Sequence, residues 1–216
     1  MSSRDAILSR IRTALAGDPP VARPSIPEVW PRTNPGIEEM AERFTKELRA
    51  VGGEVYRLTT MDDARRKLAE LMEELQSTLL GAIDRPICRE LCGELPPDHV
   101  AWPEPGWTPR TMSDLVAGLV PADYLLADTG SCLIACGTHQ ERILCYLPPT
   151  CIVVARTAQL VEHLPAVWET IASRSGDPNL RGEFVIVTGP SRTADIEKIL
   201  ILGVHGPKRL VVLLVG

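Results

Sequence analysis

Apolar positions along the chain fall into alternating helical and extended spacings. Residues 4–15 place Ile7, Leu8, Ile11 and Leu15 on one helical stripe with Asp5 in the first turn, which predicts a short amphipathic helix. A helix of that length is marginal alone in water, so its stripe needs a surface on the domain or on a partner. The stretch from Gly17 to Gly36 carries Pro19, Pro20, Pro24, Pro27, Pro31 and Pro35 and predicts an extended linker. From Ile37 helices and strands alternate. Met40, Phe44, Leu48 and Val51 form a helical stripe stopped by Gly52 and Gly53, and Glu54–Leu58 reads as a strand. Thr60 with Asp63 resembles a capping box ahead of Ala64, Leu68, Leu71 and Leu75, and Thr78–Ile83 reads as the next strand.

The middle of the chain is less regular. Pro86–Trp107 is dense in proline and predicts only a brief strand around His99–Trp102. Ser113–Val120 predicts a helix ending at Pro121, followed by strands at Asp123–Ala127, Ser131–Cys136 and Cys151–Ala155. A helix over Thr157–Ser173 is expected to kink at Pro165, and β-branched residues mark a strand at Glu183–Val187. The last unit reads as strand, turn at Gly189–Thr193, helix at Asp195–Leu202, turn at Gly203–Pro207, and strand at Arg209–Val215. Both of its strands are apolar on both faces, the signature of a buried parallel sheet. The expected class is therefore α/β with helices covering the sheet, divided into a helix over 1–16, a linker over 17–36 and a domain over 37–216.

Composition narrows the function classes. The 216 residues carry 23 Lys+Arg against 28 Asp+Glu, a formal net charge of −5, and so lack the basic footprint of nucleic-acid or anionic-membrane binding. No apolar run approaches the roughly 18 residues of a membrane span. The amino terminus is interrupted by Arg10 and Arg12 and lacks the apolar core of a secretory signal, so a cytoplasmic, reducing setting is expected, with the six cysteines unpaired.

Four stretches offer chemistry. In Gly189-Pro-Ser-Arg-Thr-Ala-Asp195, Ser191 and Thr193 offer hydroxyls and Arg192 a charge at the carboxyl end of a strand, where an anion could bind. Asp195 and Glu197 in the same expected first turn oppose that, and an ordinary helix cap explains the stretch equally well. Gly203-Val-His-Gly-Pro207 is expected at the far end of that helix, opposite Ser191, which makes His205 a loop-locking residue between Gly203 and Gly206. Asp128 enters a tight turn with Thr129, Gly130 and Ser131, either as a site carboxylate or as a turn aspartate capping its own backbone. His139-Gln-Glu-Arg142 is a polar island that could line a cleft with Asp128.

The cysteines show no Cys-x-x-Cys and no cluster-binding run, and Cys132 and Cys136 would stand about 13 Å apart along a strand, so small buried hydrophobes are the expected role and no metal site is expected. The tryptophans of the proline-rich segments, Trp30, Trp102 and Trp107, are expected to pin loops or the linker.

At Ala127-Asp-Thr-Gly-Ser131, Gly189-Pro-Ser-Arg-Thr-Ala-Asp-Ile-Glu197 and Gly203-Val-His-Gly-Pro207, the chain resembles the lactate-utilisation protein C (LutC) family of LUD-domain proteins. The amino-terminal Arg4-Asp-Ala-Ile-Leu-Ser-Arg-Ile-Arg12 stretch and the proline-rich linker are similar to that family too. The resemblance implies a fold similar to the NagB/RpiA/CoA-transferase group. It also implies a role in oxidising L-lactate to pyruvate together with two companion proteins, one of them carrying iron–sulfur clusters. On that reading this chain holds no cofactor, the helix and linker dock a partner, and Asp128 with Ser191–Thr193 holds a small carboxylate.

Where the family pattern has Pro-x-x-His, the chain reads Leu147-Pro-Pro-Thr-Cys151. A competing reading is a stand-alone CoA-transferase-like or sugar-phosphate-isomerase-like enzyme binding a small anion. In it Asp128, the closest counterpart to the transferases' glutamate nucleophile, would converge with His139 and Arg192 in one deep pocket.

Overall fold

A computed structural model describes residues 3–16, 30, 32–76, 79–174, 184–194, 200–203 and 205–216. The chain forms two compact units, Met1–Pro31 and Arg32–Gly216. The first contains helix α1 (Ser3–Leu15), which buries no residue; Ile7, Ile11 and Leu15 are each about half exposed, and so is Trp30.

In the second unit, α2 (Ile37–Ala50), β1 (Glu54–Leu58) and α3 (Met61–Glu74) follow the predicted pattern closely. Thr60 caps α3 as expected, its hydroxyl accepting the Asp63 N–H at 3.1 Å while the Asp63 carboxylate accepts the Thr60 N–H at 2.9 Å. Next come β2 (Leu80–Ala82), α4 (Pro86–Cys92), β3 (Val100–Ala101), α5 (Pro109–Met112) and β4 (Ala117–Pro121). The chain continues through β5 (Tyr124–Leu126), β6 (Ser131–Ala135), α6 (His139–Leu144), β7 (Thr150–Arg156) and β8 (Leu160–Val161). It ends with α7 (Trp168–Arg174), β9 (Phe184–Val187), β10 (Arg192–Ala194), β11 (Leu200–Leu202) and β12 (Arg209–Val215).

A six-stranded parallel sheet in the order β1-β12-β7-β4-β2-β3 forms the centre, with an apolar layer on each face. Helices α3 and α4 cover one face; α2, α6 and a second sheet cover the other. That second sheet has four strands in the order β8-β5-β6-β9, with β9 antiparallel to β6. Among the described residues no helix is long and apolar enough to cross a membrane.

Several expectations are corrected. Residues 117–121 are the fully buried central strand β4 rather than a helix, because a short apolar run has no periodicity that distinguishes the two. The expected helix over 157–173 is divided: Pro165 opens a short 3-10 turn, and only Trp168–Arg174 is α-helical. Three helices were missed, among them the single turn α5. Pro86 starts α4 at a position where its lacking N–H costs nothing, and the polar island His139–Arg142 is the body of α6.

The terminal unit departs most from expectation. Leu200–Leu202 is a strand paired antiparallel with Arg192–Ala194, so a hairpin stands where a helix was expected; residues 195–199 lie outside the described residues. Strand β9 lies in the second sheet with Ile186 about half exposed, whereas β12 is buried in the parallel sheet as predicted.

Candidate functional site at the amino end of the parallel sheet

The three motifs converge, which the expected helix would have prevented. The Ser191 N–H donates to the Pro207 carbonyl at 2.8 Å and the Gly203 N–H donates to the Ser191 carbonyl at 3.0 Å. The hairpin returns the chain to its starting point, so Ser191 and Gly206 touch instead of standing at opposite edges: a Cβ on Gly206 would lie 3.0 Å from the Ser191 Cβ. His205 is exposed beside them. Since Pro207 leads into β12, this cluster sits at the amino end of the parallel strands. Strand β9, whose carboxyl end carries Gly189, is not in that sheet, so the rule placing ligands at carboxyl ends of parallel strands does not select this motif.

The Asp128 turn reaches the same end through α2. Gly130 has φ +65°, and a Cβ there would lie 2.3 Å from the Leu48 backbone nitrogen, so only glycine fits between the turn and the last turn of α2. Arg192 donates from Nη2 to the Val51 carbonyl at 2.6 Å, capping the end of α2 where a cation is favoured by the helix dipole. The backbone of Thr193 pairs with Ile201; its side chain lies outside the described residues, as do Asp195 and Glu197. Thr129, Ser131 and Thr188 form a hydroxyl ladder, with Oγ separations of 2.8 Å and 2.6 Å, that ties the Asp128 turn to the end of β9. Ser131, the middle rung, is buried.

Sequence reasoning missed Thr188, Thr33, Glu162 and His163. The Asp128 N–H donates to the Glu162 carbonyl at 3.1 Å, continuing the β5/β8 register of Leu125 with Leu160 and Leu126 with Val161. Glu162 accepts the Thr33 N–H at 3.0 and 3.1 Å and also the Thr33 hydroxyl, whose hydrogen bond is the main reason its carboxyl sits below the ordinary carboxylate range. Buried His163 accepts the Ala166 N–H on Nδ1 at 3.2 Å, which assigns its proton to Nε2, 4.0 Å from Glu162. Among the described residues, Asp128 Oδ1 and His163 Nε2 are buried without a hydrogen-bond partner. Among the described residues no lysine or arginine pairs with Asp128 or Glu162, so the immediate surroundings of Asp128 offer an anion no cationic partner.

His139 does not join this group. It starts α6, its Nδ1 lies 2.6 Å from Arg142 Nη2, and β6 separates it from the Asp128 turn by about 13 Å of strand. Asp128, His139 and Arg192 are thus distributed over two ends of the molecule, which removes the single pocket expected of a stand-alone transferase or isomerase.

All six cysteines are buried. Cys136 and Cys145 bring their Sγ atoms to 4.0 Å, a contact between the end of β6 and the end of α6 that strand spacing alone could not reveal. Cys151, standing where the family pattern has histidine, is buried in β7 and its thiol is pushed up to about 12 by burial. Trp102 packs under Arg89, whose guanidinium carbon lies 3.9 Å from the ring centroid, as a packing role predicts.

The parallel sheet flanked by helices, with an antiparallel sheet added on one face, defines an α/β protein with the NagB/RpiA-like arrangement. A DUF162 family protein from Deinococcus radiodurans shares this fold, with a TM-score of 0.62 over 84% of this chain and 99% of that one at 18% identity. The profile of the LUD domain matches residues 41–215, and the chain belongs to that family. "Lactate utilization protein C" of Bacillus pumilus is 32% identical over 108 residues, 49% of this chain and 45% of that protein. The protein of the same name from Halalkalibacterium halodurans is 34% identical over 94 residues, 43% of this chain and 40% of that protein. These alignments thus span less than half the length of those curated relatives. An uncharacterized protein of Neisseria meningitidis serogroup B is 25% identical over 99% of this chain and 93% of its own length.

Proposed function

We propose that this chain is the component without its own redox centre in a cytoplasmic L-lactate oxidising system, working beside a protein that carries iron–sulfur clusters. The observation that carries this reading is membership of the LUD family together with similarity to two proteins named for lactate utilisation. The geometry at the motif end supports a scaffolding rather than a catalytic role for those motifs: Arg192 caps a helix, Ser191 bonds backbone, and the hydroxyl ladder is internally paired.

In the same reading residues 1–16 dock a partner and residues 17–36 tether them to the LUD domain. The exposed Ile7, Ile11 and Leu15 of α1 supply the apolar contact such docking needs.

The test is genetic and biochemical. Deleting the gene is expected to abolish growth on L-lactate, and anaerobic capture of the full chain is expected to retain an iron–sulfur protein. Unimpaired growth with unchanged lactate oxidation would sink the proposal.

A further inference from the structure

The parallel sheet reverses its winding between β2 and β4. The chain leaving β2 passes through α4 toward the edge strand β3, whereas the chain leaving β4 passes through β5, β6 and α6 toward β7, over the opposite face. In open parallel sheets the crevice outside the carboxyl ends at such a reversal is where ligands sit. The side chains placed there are Arg85, just after β2, and Asp123, just after β4, joined by Glu141 of α6 and Arg174 of α7. Of these four, only Glu141 lies in a stretch that the sequence singled out, the polar island His139–Arg142.

Arg85 is the unusual member. Its side chain is only 27% exposed, yet among the described residues its guanidinium, with five N–H groups, makes one hydrogen bond, from Nη2 to the Ala135 carbonyl. Asp123 lies 3.6 Å away and Glu141 3.9 Å away, beyond hydrogen-bonding reach. Both acids are held by other donors: Asp123 by the Ala135 N–H at 2.7 Å and Arg174 at 3.0 Å, Glu141 by the Gly137 N–H at 2.8 Å. Arg85 is therefore ion-paired with both acids but hydrogen-bonded to neither, and its remaining N–H groups are left for two-point recognition of a planar carboxylate. The two resident carboxylates flank the fork and set the charge limit. Two arginines and two acids balance here, so a monoanion adds one uncompensated charge and a dianion two, which favours the monoanion.

We propose that this crevice binds a small monocarboxylate, with Arg85 as its two-point anchor. The site stands on the geometry alone; only the choice of lactate and pyruvate as probes rests on the function proposed above.

Isothermal titration of the full chain at fixed ionic strength with L-lactate, pyruvate, acetate and inorganic phosphate tests it. The expected result is saturable one-to-one binding of at least one monocarboxylate, at least ten times tighter than phosphate. Arg85→Gln should weaken it at least tenfold, and Arg209→Gln, at the other end of the sheet, should leave it unchanged. If Arg85→Gln fails to fold, Arg85→Lys decides, since it keeps the charge but loses the fork, and a several-fold loss is expected. Absence of saturable carboxylate binding, equal binding by the Arg85 variants, or tighter binding of phosphate overturns the site. Growth lost on gene deletion without carboxylate binding overturns the site and leaves the lactate role intact; binding with growth unimpaired does the reverse.

Discussion

Two arginines at opposite ends of the same parallel sheet are used in opposite ways. At the amino end, Arg209 spends its guanidinium on structure, donating to both oxygens of Glu54 at 2.6 and 2.8 Å and to Glu74 at 3.2 Å. That network clamps β12 to β1 and to the end of α3. At the carboxyl end, Arg85 is about as well buried, is ion-paired with Asp123 and Glu141, and among the described residues makes one side-chain hydrogen bond. The rest of the amino end follows Arg209: the motif residues bond one another and the backbone, leaving little polar capacity for anything else, apart from Asp128 and His163. The family's most recognisable residues thus build rigidity, and the open chemistry lies where the sequence is plain.

If the amino end is built for rigidity, changes there should register mainly as stability. The largest effect is expected from Gly130→Ala, which combines a positive φ with a clash against the α2 backbone; a loss on the order of 3 kcal/mol in urea unfolding is expected. Gly36→Ala, with φ −64° and no atom within 4 Å of the new Cβ, should change stability by less than about 0.5 kcal/mol. Equal effects would show that the turn is not locked against α2.

Ser131→Ala removes the middle rung of the hydroxyl ladder; Thr129 and Thr188 are exposed and can bond water instead, for an expected loss of about 1 kcal/mol measured the same way. Arg209→Gln is expected to cost about 1 kcal/mol at neutral pH, since the pair is partly exposed. Its pH dependence gives the sharper test. Glu54 is held below its ordinary value of 4.5 chiefly by the Arg209 hydrogen bonds, so its contribution is present above about pH 4.5 and is lost as pH falls through the lowered value. The wild-type chain should therefore lose more stability on acidification than Arg209→Gln does; parallel curves would contradict the role assigned to that pair. The smallest effect is expected at Cys151. Burial pushes its thiol up to about 12, so iodoacetamide at pH 8 should leave it unlabelled until the chain is unfolded.

Local signals were legible where one residue's neighbours in sequence are also its neighbours in space. The stripe of α2, the capping box at Thr60 and the alternation of β1 predicted their elements closely. The α6 helix was not legible, because six residues with two buried apolar positions make less than two turns of pattern. Of the candidate site, Asp128, the Thr129–Ser131 turn and the two carboxyl-terminal motifs were legible as motifs, but their meeting was not. It depends on the pairing of Arg192–Ala194 with Leu200–Leu202, and the second of these is a three-residue apolar run that reads equally well as the end of a helix. Glu162 and His163 carried only one readable signal, a polar pair directly after the short apolar run Leu160–Val161.

By itself the sequence determined the alternation of helices and strands over residues 37–83, the apolar strands β1, β2, β7 and β12 of the parallel sheet, and membership of a family, because periodicity, caps and motifs are local properties. The tertiary structure alone decided that β9 leaves the parallel sheet, that three motifs close one end of it, and that Arg85 stands at the reversal point between Asp123 and Glu141. Those outcomes depend on pairing and charge between residues tens of positions apart, such as Arg85 with Ala135 and Arg209 with Glu54, and no local pattern encodes which distant partner a strand or a guanidinium will meet.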